Sequence, residues 1–356
     1  VSGDLLPPTT VALPPQPAGR SWPTVTWATG EQVTGDAERL AQVVDQAFDP
    51  ALEATFGQHR AVLVVQGGRI VAERYASGLD ARSTHLSWSV AKSVTHALAG
   101  ILVRDGLLDP GAHMPAREWS APGDPRAAIT VSDLLAMRSG LRFVEDYVDD
   151  TTSDCLEMLF GTGAGDVAGY AASLPLEHGI DEVFNYSSGT TNIVLRHLVD
   201  LLGADGDPAS RRELTEQWTR RELFDPIGMG SVELRYDEAG TFVASSYLYA
   251  TARDFARFGL LYLRDGVWDG RRLLPEGWVD DARQIRSLDP EDGWYYGHHW
   301  WVRGDDLGTF WANGYEGQMV ACIPALDAVV VRLGKLPSDR RPATERWFFD
   351  LVDALR

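Results

Sequence analysis

Residues 89–92 read Ser89-Val90-Ala91-Lys92 and open an apolar stretch that reads as a helix to Arg104. Positions three apart on a helix share a face, so the hydroxyl and the amine can meet. A helix start also offers free N–H groups and the positive end of the helix dipole, which favour an alkoxide and a tetrahedral oxyanion. A neutral amine there is able to take the serine proton, provided that burial or a nearby cation lowers the ordinary lysine pKa of ~10.4. The competing reading is a capping serine beside a surface lysine, because Ser-x-x-Lys is frequent by chance. Lysine usage weighs against it. Of 32 basic residues only Lys92 and Lys335 are lysine, and the rest are arginine. Guanidinium stays charged in proteins, so a lysine stands out where the group has to lose its proton.

Upstream, residues 1–36 are rich in Pro, Thr and Gly and read as an extended arm on the surface. Residues 37–55 look helical, with apolar positions at Leu40, Val43, Val44 and Phe48. A β-branched run, 61–66, then Gly67-Gly68 and an alternating 69–75, reads as a hairpin. Downstream, 85–290 is helix-rich, with segments at 89–104, 131–137, 190–202 and 252–264. Thr130 followed by Asp133 marks one helix start. The chain then returns to strands near 297–303, 308–311, 319–323 and 328–333, and closes on a helix over 342–355. The expectation is an α+β fold. One antiparallel sheet is built from both chain ends (37–84 and 291–356) and flanked by helices, with 85–290 inserted as a helix-rich domain.

Two further constellations carry chemistry. Asn185-Tyr186-Ser187-Ser188-Gly189 precedes a helix, where a tyrosine can relay a proton between an amine and a leaving group. A buried, hydrogen-bonded tyrosine is the commoner fate. Trp311-Ala312-Asn313-Gly314-Tyr315-Glu316-Gly317-Gln318 sits on a late strand, where glycine lets a backbone approach a ligand and an N–H serve as a second oxyanion donor. A bulge or a turn is the plain alternative.

The order Ser-x-x-Lys, Tyr-x-Ser, Gly-rich strand edge resembles the serine β-lactamase and penicillin-binding protein superfamily, on its class C and esterase side. Within it the chain is most similar to 6-aminohexanoate-dimer hydrolases and related carboxylesterases. The shared residues are Ser89-Val90-Ala91-Lys92, Glu145-Asp146-Tyr147-Val148-Asp149, Tyr186-Ser187-Ser188, Thr251-Ala252-Arg253-Asp254 and Gly317-Gln318. The resemblance implies a β-lactamase/transpeptidase-like fold, Ser89 as the acylated nucleophile, Lys92 as its base and Tyr186 as the proton-transfer partner. It further implies an oxyanion hole from the amides of Ser89 and Tyr315, an amide contact from Tyr147, and substrate contacts from Ser188, Asn313, Gly314 and Trp311. Two departures stand out. The Lys-Thr-Gly or His-Thr-Gly triplet is Ala312-Asn313-Gly314 here, so its cation is missing, and the Asn of Tyr-x-Asn is Ser188. Both favour an esterase or amidase over a β-lactamase or D-Ala-D-Ala carboxypeptidase.

Composition narrows the rest. At 44% hydrophobic and 23% charged the chain is globular in type. No run approaches the ~18 apolar residues of a membrane span. A net charge of -19 argues against nucleic-acid or anionic-membrane partners. There is no CxxC pair, no His-Glu-x-x-His and no Gly-x-Ser-x-Gly elbow, so neither a metal, a cofactor nor an α/β-hydrolase site is expected. His298-His299 would point to opposite faces of a strand. The aromatic residues at 294–301, Trp311 and Tyr315 are candidates for an acyl pocket. Cys155 and Cys322 either pair or stay as buried thiols. The chain starts at Val1 with no signal-like run, which leaves the compartment open between cytoplasmic and exported with a signal removed. Oligomeric state is open too. A small-molecule ester or amide is the expected partner, and a non-catalytic binding protein on the same fold is the reading from another class.

Overall fold

The computed structural model describes residues 11–146, 153–204, 206–290 and 292–356. Its main sheet is antiparallel and has eight strands among the described residues. Across the sheet their order is Arg69–Tyr75, Gln58–Gln66, Ala328–Lys335, Gln318–Ile323, Phe310–Gly314, Trp301–Val302, Tyr295–Tyr296 and Ser287–Leu288. Both chain ends build it, because Gln58–Gln66 pairs with Arg69–Tyr75 on one side and with Ala328–Lys335 on the other.

Helices cover both faces, which is why the central strands read as unbroken apolar runs. Val62, Val64 and Val330 pack with Val43 and Val44 of helix Ala37–Gln46 and with Trp347 and Leu351 of helix Arg341–Leu355. The alternate residues Leu63, Val65, Val329 and Val331 join the larger core beneath helices Val90–Arg104 and Ala252–Leu263. This is the period-two geometry of a strand buried on two sides.

Several elements differ from the sequence reading. The helix expected over 37–55 stops at Gln46 and resumes as short turns, Pro50–Leu52 and Glu53–Phe56. Pro50 has no N–H to continue a helix, and Asp49 accepts from Ala51 N at 2.9 Å to start a new turn. The strand expected over 297–303 shrinks to Trp301–Val302. His298 N goes to Ala282 O and His299 N to Leu135 O, and His299 takes φ 54°. Two pieces of the 85–290 stretch belong with the sheet: helix Ala252–Leu263 lies on it, and Ser287–Leu288 is its edge strand. The arm, described from residue 11, is tied down by Arg257 Nε to Pro23 O at 2.7 Å and by buried Trp27, whose indole donates to Arg253 O at 3.2 Å. Thr130 and Asp133 form the expected capping box. Cys155 and Cys322 are both buried and are not joined in a disulfide. No described helix is long and apolar enough to cross a membrane.

Candidate active site

A small second sheet delivers the nucleophile segment. Thr84–Leu86 pairs with Leu248–Thr251, and Ser87 N continues the ladder to Leu248 O at 2.8 Å. The chain then turns through Trp88, at φ 45°, into helix Val90–Arg104. A non-glycine residue in the left-handed region is uncommon and marks local strain.

Ser89 occupies the N-cap position but does not cap. Its backbone is helical (φ -67°, ψ -3°) and its hydroxyl makes no cap bond. The hydroxyl lies 2.8 Å from Lys92 Nζ. Lys92 is 1% exposed, which removes the surface-lysine reading. Its amine has two more partners, Ser188 Oγ at 2.8 Å and Ser245 O at 3.2 Å. Burial holds the Lys92 pKa below the usual ammonium range, opposed by the charge of Glu145 and by Cys155.

Ser187 caps helix Ser188–Leu201, accepting from Thr190 N at 3.1 Å. This sets Tyr186 just outside the helix and Ser188 in its first turn. Tyr186 lines the cavity beside Ser89, and its ring centroid stands 5.0 Å from Lys92 Nζ. Burial is the main reason its phenol pKa is raised far above normal, with Glu145 adding to it. Ser188 is fully buried. Its hydroxyl donates to Glu145 Oε1 at 2.6 Å, and its N–H to Glu145 Oε2 at 2.7 Å. The Ser188 hydroxyl, expected to touch substrate, gives its hydrogen to Glu145 and accepts from Lys92.

Glu145 opens the stretch 145–149, where the resemblance implies a role only for Tyr147. The site partner of Glu145 lies 43 residues away, so no local pattern marks it. Asn185 brings its segment in, donating from Nδ2 to Leu141 O at 3.3 Å and Phe143 O at 3.2 Å. The Ser245 carbonyl is a second missed partner, and a backbone acceptor leaves no trace in sequence. His299 ties the two helices from behind. Its carbonyl accepts from Ser93 Oγ at 2.6 Å, and its Nε2 meets Thr191 Oγ1 at 3.0 Å.

A cavity of about 750 Å³ opens at Ser89 and Tyr186. Asn313, Gly314 and Tyr315 form its border where strand Phe310–Gly314 ends, and Trp294, Trp301 and Trp311 line its wall. Trp300 does not reach it and is buried among Phe258, Tyr262 and Phe310. Tyr315 meets Trp88 edge-on at 5.3 Å. Tyr147 lies outside the described residues. The Ala312-Asn313-Gly314 triplet carries no cation, yet the cavity is not without one: Arg303, Arg332 and Arg341 line it. Arg341 pairs with Asp292, and Arg303 with Asp305 at 3.3 Å. Among the described residues no group of three or more His, Cys, Asp or Glu could hold a metal.

A buried Ser–Lys pair with a tyrosine at its side, set between an antiparallel sheet and a helical region, defines the serine-hydrolase superfamily built on the β-lactamase/transpeptidase scaffold. The chain belongs to the Beta-lactamase family, which matches residues 44–354. It is 27% identical over 304 residues to the 6-aminohexanoate-dimer hydrolase of Paenarthrobacter ureafaciens, covering 81% of this chain and 74% of that protein. Among solved structures, a Bacillus anthracis protein provisionally given as a 6-aminohexanoate-dimer hydrolase superposes with TM-score 0.72 at 22% identity, over 86% of this chain and 81% of that one. A family VIII carboxylesterase superposes with TM-score 0.62 at 13% identity, over 90% of this chain and 100% of that one. At these identities the solved structures speak to the fold alone.

Proposed function

We propose that the protein hydrolyses small esters, and linear amides with short ω-amino chains, through an acyl-enzyme on Ser89. The observation that carries this reading is the set of partners around Lys92 Nζ. A neutral amine has two N–H bonds and one lone pair. Ser245 O can only accept. Ser188 Oγ gives its hydrogen to Glu145 and so accepts from Lys92. Both N–H bonds are then used, and the lone pair is left facing Ser89 Oγ at 2.8 Å. Burial lowers the affinity of the amine for a proton.

In the reaction, Ser89 passes its proton to Lys92 as Oγ bonds to the substrate carbonyl carbon. The carbonyl π pair moves onto oxygen, where the N–H groups of Ser89 and Tyr315 receive it. Collapse breaks the carbon–oxygen or carbon–nitrogen bond. Tyr186, kept as a neutral phenol by burial, gives its proton to the departing group and regains one from the Lys92 ammonium. Water repeats the sequence on the acyl-enzyme and frees Ser89.

The substrate range rests on three supports. The triplet at 312–314 lacks the charge that pairs with a β-lactam carboxylate, a contact worth ~1.5–3 kcal/mol. The tryptophan wall suits an uncharged acyl chain. The curated relative is named for an amide dimer. Tyr147 keeps its proposed place at the amide nitrogen.

The test is a serine-directed phosphonate followed by intact mass and peptide mapping, beside a panel of butyrate ester, linear ω-amino amide, D-Ala peptide and nitrocefin. The adduct is expected on Ser89, with ester turnover leading the panel. An adduct on another serine, or a Ser89→Ala protein that stays active, would overturn the mechanism. Nitrocefin turnover above that of butyrate esters in kcat/KM would overturn the substrate ranking.

A further inference from the structure

The turn Tyr315–Gly317 joins strands Phe310–Gly314 and Gln318–Ile323 and carries the Tyr315 amide at the mouth of the cavity. It is not a relaxed turn, because Glu316, not a glycine, sits at φ 58°. Such a conformation persists only where the surroundings enforce it. Here side chains take all three of its carbonyl oxygens. Arg332 Nη1 donates to Glu316 O at 2.9 Å and to Gly317 O at 2.8 Å. Gln318 Nε2 donates to Tyr315 O at 3.1 Å, and to Gly334 O at 2.8 Å on the next strand.

Arg332 is an unusual group to spend on a turn. It stands on strand Ala328–Lys335, in register with Met319, and is 1% exposed. Its Nε and Nη2 are buried without a hydrogen-bond partner among the described residues. Burial pulls its pKa down to about 9, with Glu316 the charge that opposes the shift. A buried cation with two unmet donors is expensive. Glycines make room for it, one in the turn and one on its own strand. A Cβ on Gly317 would lie 2.6 Å from Nη1, and one on Gly334 would lie 3.0 Å from Nη2.

We propose that Arg332, with Gln318, is a positioning residue of the oxyanion hole: it clamps the Tyr315–Gly317 turn so that the Tyr315 N–H is already in place for the substrate oxyanion beside Ser89 before substrate arrives. This rests on the reading of Tyr315 as an oxyanion donor. The clamp has a kinetic signature. A preorganised donor is felt in the transition state more than in the ground state, so its loss appears in kcat. Misplacing such a group by a fraction of an ångström to one ångström costs on the order of 10- to 100-fold.

The experiment compares full-length wild type with Arg332→Met, Arg332→Lys and Gln318→Met. It measures ester kcat and KM, the rate of Ser89 labelling by a phosphonate, and the affinity of an alkylboronic acid, whose adduct on Ser89 copies the tetrahedral intermediate. Arg332→Met is expected to lose kcat by on the order of 10-fold or more with KM little changed. Boronate affinity and labelling rate should fall in step, and Arg332→Lys should recover part of each. A folded Arg332→Met enzyme with wild-type kcat overturns the proposal. So does a loss shared equally by KM and kcat, the mark of general loosening. If Arg332→Met fails to fold, Gln318→Met carries the same expectation and the same overturning results. Wild-type protein that is not labelled on Ser89 refutes the underlying site reading instead, which keeps the two failures apart.

Discussion

Gly314 lies against the backbone of Ser89. A Cβ added to it would come within 3.1 Å of the Ser89 nitrogen and 2.5 Å of the Ser87 carbonyl oxygen. This close approach lets the end of strand Phe310–Gly314 meet the start of the nucleophile helix, which brings the amides of Ser89 and Tyr315 to one border of the cavity.

Gly314→Ala is therefore expected to push strand and helix apart. The overpacking costs about 1–3 kcal/mol of stability. The larger effect falls on activity, a loss on the order of 100-fold in kcat as the two donors separate. Thermal melts and ester kinetics on the folded variant check both. A variant with unchanged kcat would show that the two amides do not act together.

Lys92→Arg puts a permanent cation where the proposed mechanism needs a neutral base. A drop on the order of 100- to 10,000-fold in kcat/KM is expected, because guanidinium does not give up its proton at workable pH. In wild type the acid limb of kcat/KM marks protonation of Lys92, and burial moves that limb below the ordinary lysine pKa of ~10.4. Activity retained in a folded Lys92→Arg protein would make the lysine structural.

Ser188→Ala frees one N–H of Lys92 and leaves Glu145 without the hydroxyl it accepts from. The lone pair then loses its enforced direction, and kcat should fall on the order of 10- to 100-fold. Glu145→Gln should do less harm to KM than to kcat, since its carboxylate accepts from both the hydroxyl and the N–H of Ser188. Equal losses in both parameters for either variant would remove the relay from the mechanism.

Acid should unfold this protein through its buried histidines. Burial lowers His299 to about 3 and His85 to about 4, and lowers His96 and His298 as well. The unfolded chain, with ordinary histidine pKa values near ~6.5, binds these protons first. Their contribution to stability is thus complete above about pH 6.5 and is lost as pH falls toward the folded values. Each ring steepens that loss by up to about 1.4 kcal/mol per pH unit. Asp237, raised to about 6 by burial, works the other way. Melting temperatures between pH 8 and 5 test this, and a melting temperature that holds steady or rises over that range would contradict it.

Much of the fold was legible because its signals are local. The hairpin at 58–75, the late strands and the closing helix follow from apolar period and turn residues. The misreadings have local causes too. Pro50 cuts a helix whose apolar spacing runs on past it. His298 and His299 leave the strand because their backbone N–H groups find acceptors in Ala282 and Leu135, far away in the chain.

The site divides along the same line. The meeting of Ser89 and Lys92 was readable from sequence alone, because a spacing of three on a helix is itself a distance, and the scarcity of lysine in an arginine-rich chain singled out that position. Tertiary structure alone decided that Lys92 is buried, that Ser188 meets its amine, that the Ser245 carbonyl is its further partner, that Glu145 holds Ser188, and that Arg332 holds the turn beside Tyr315. Those contacts join residues 15 to 153 positions apart. No local periodicity encodes them. They exist only once both chain ends have closed one sheet and the packed helices have fixed which groups must share hydrogens out of reach of water.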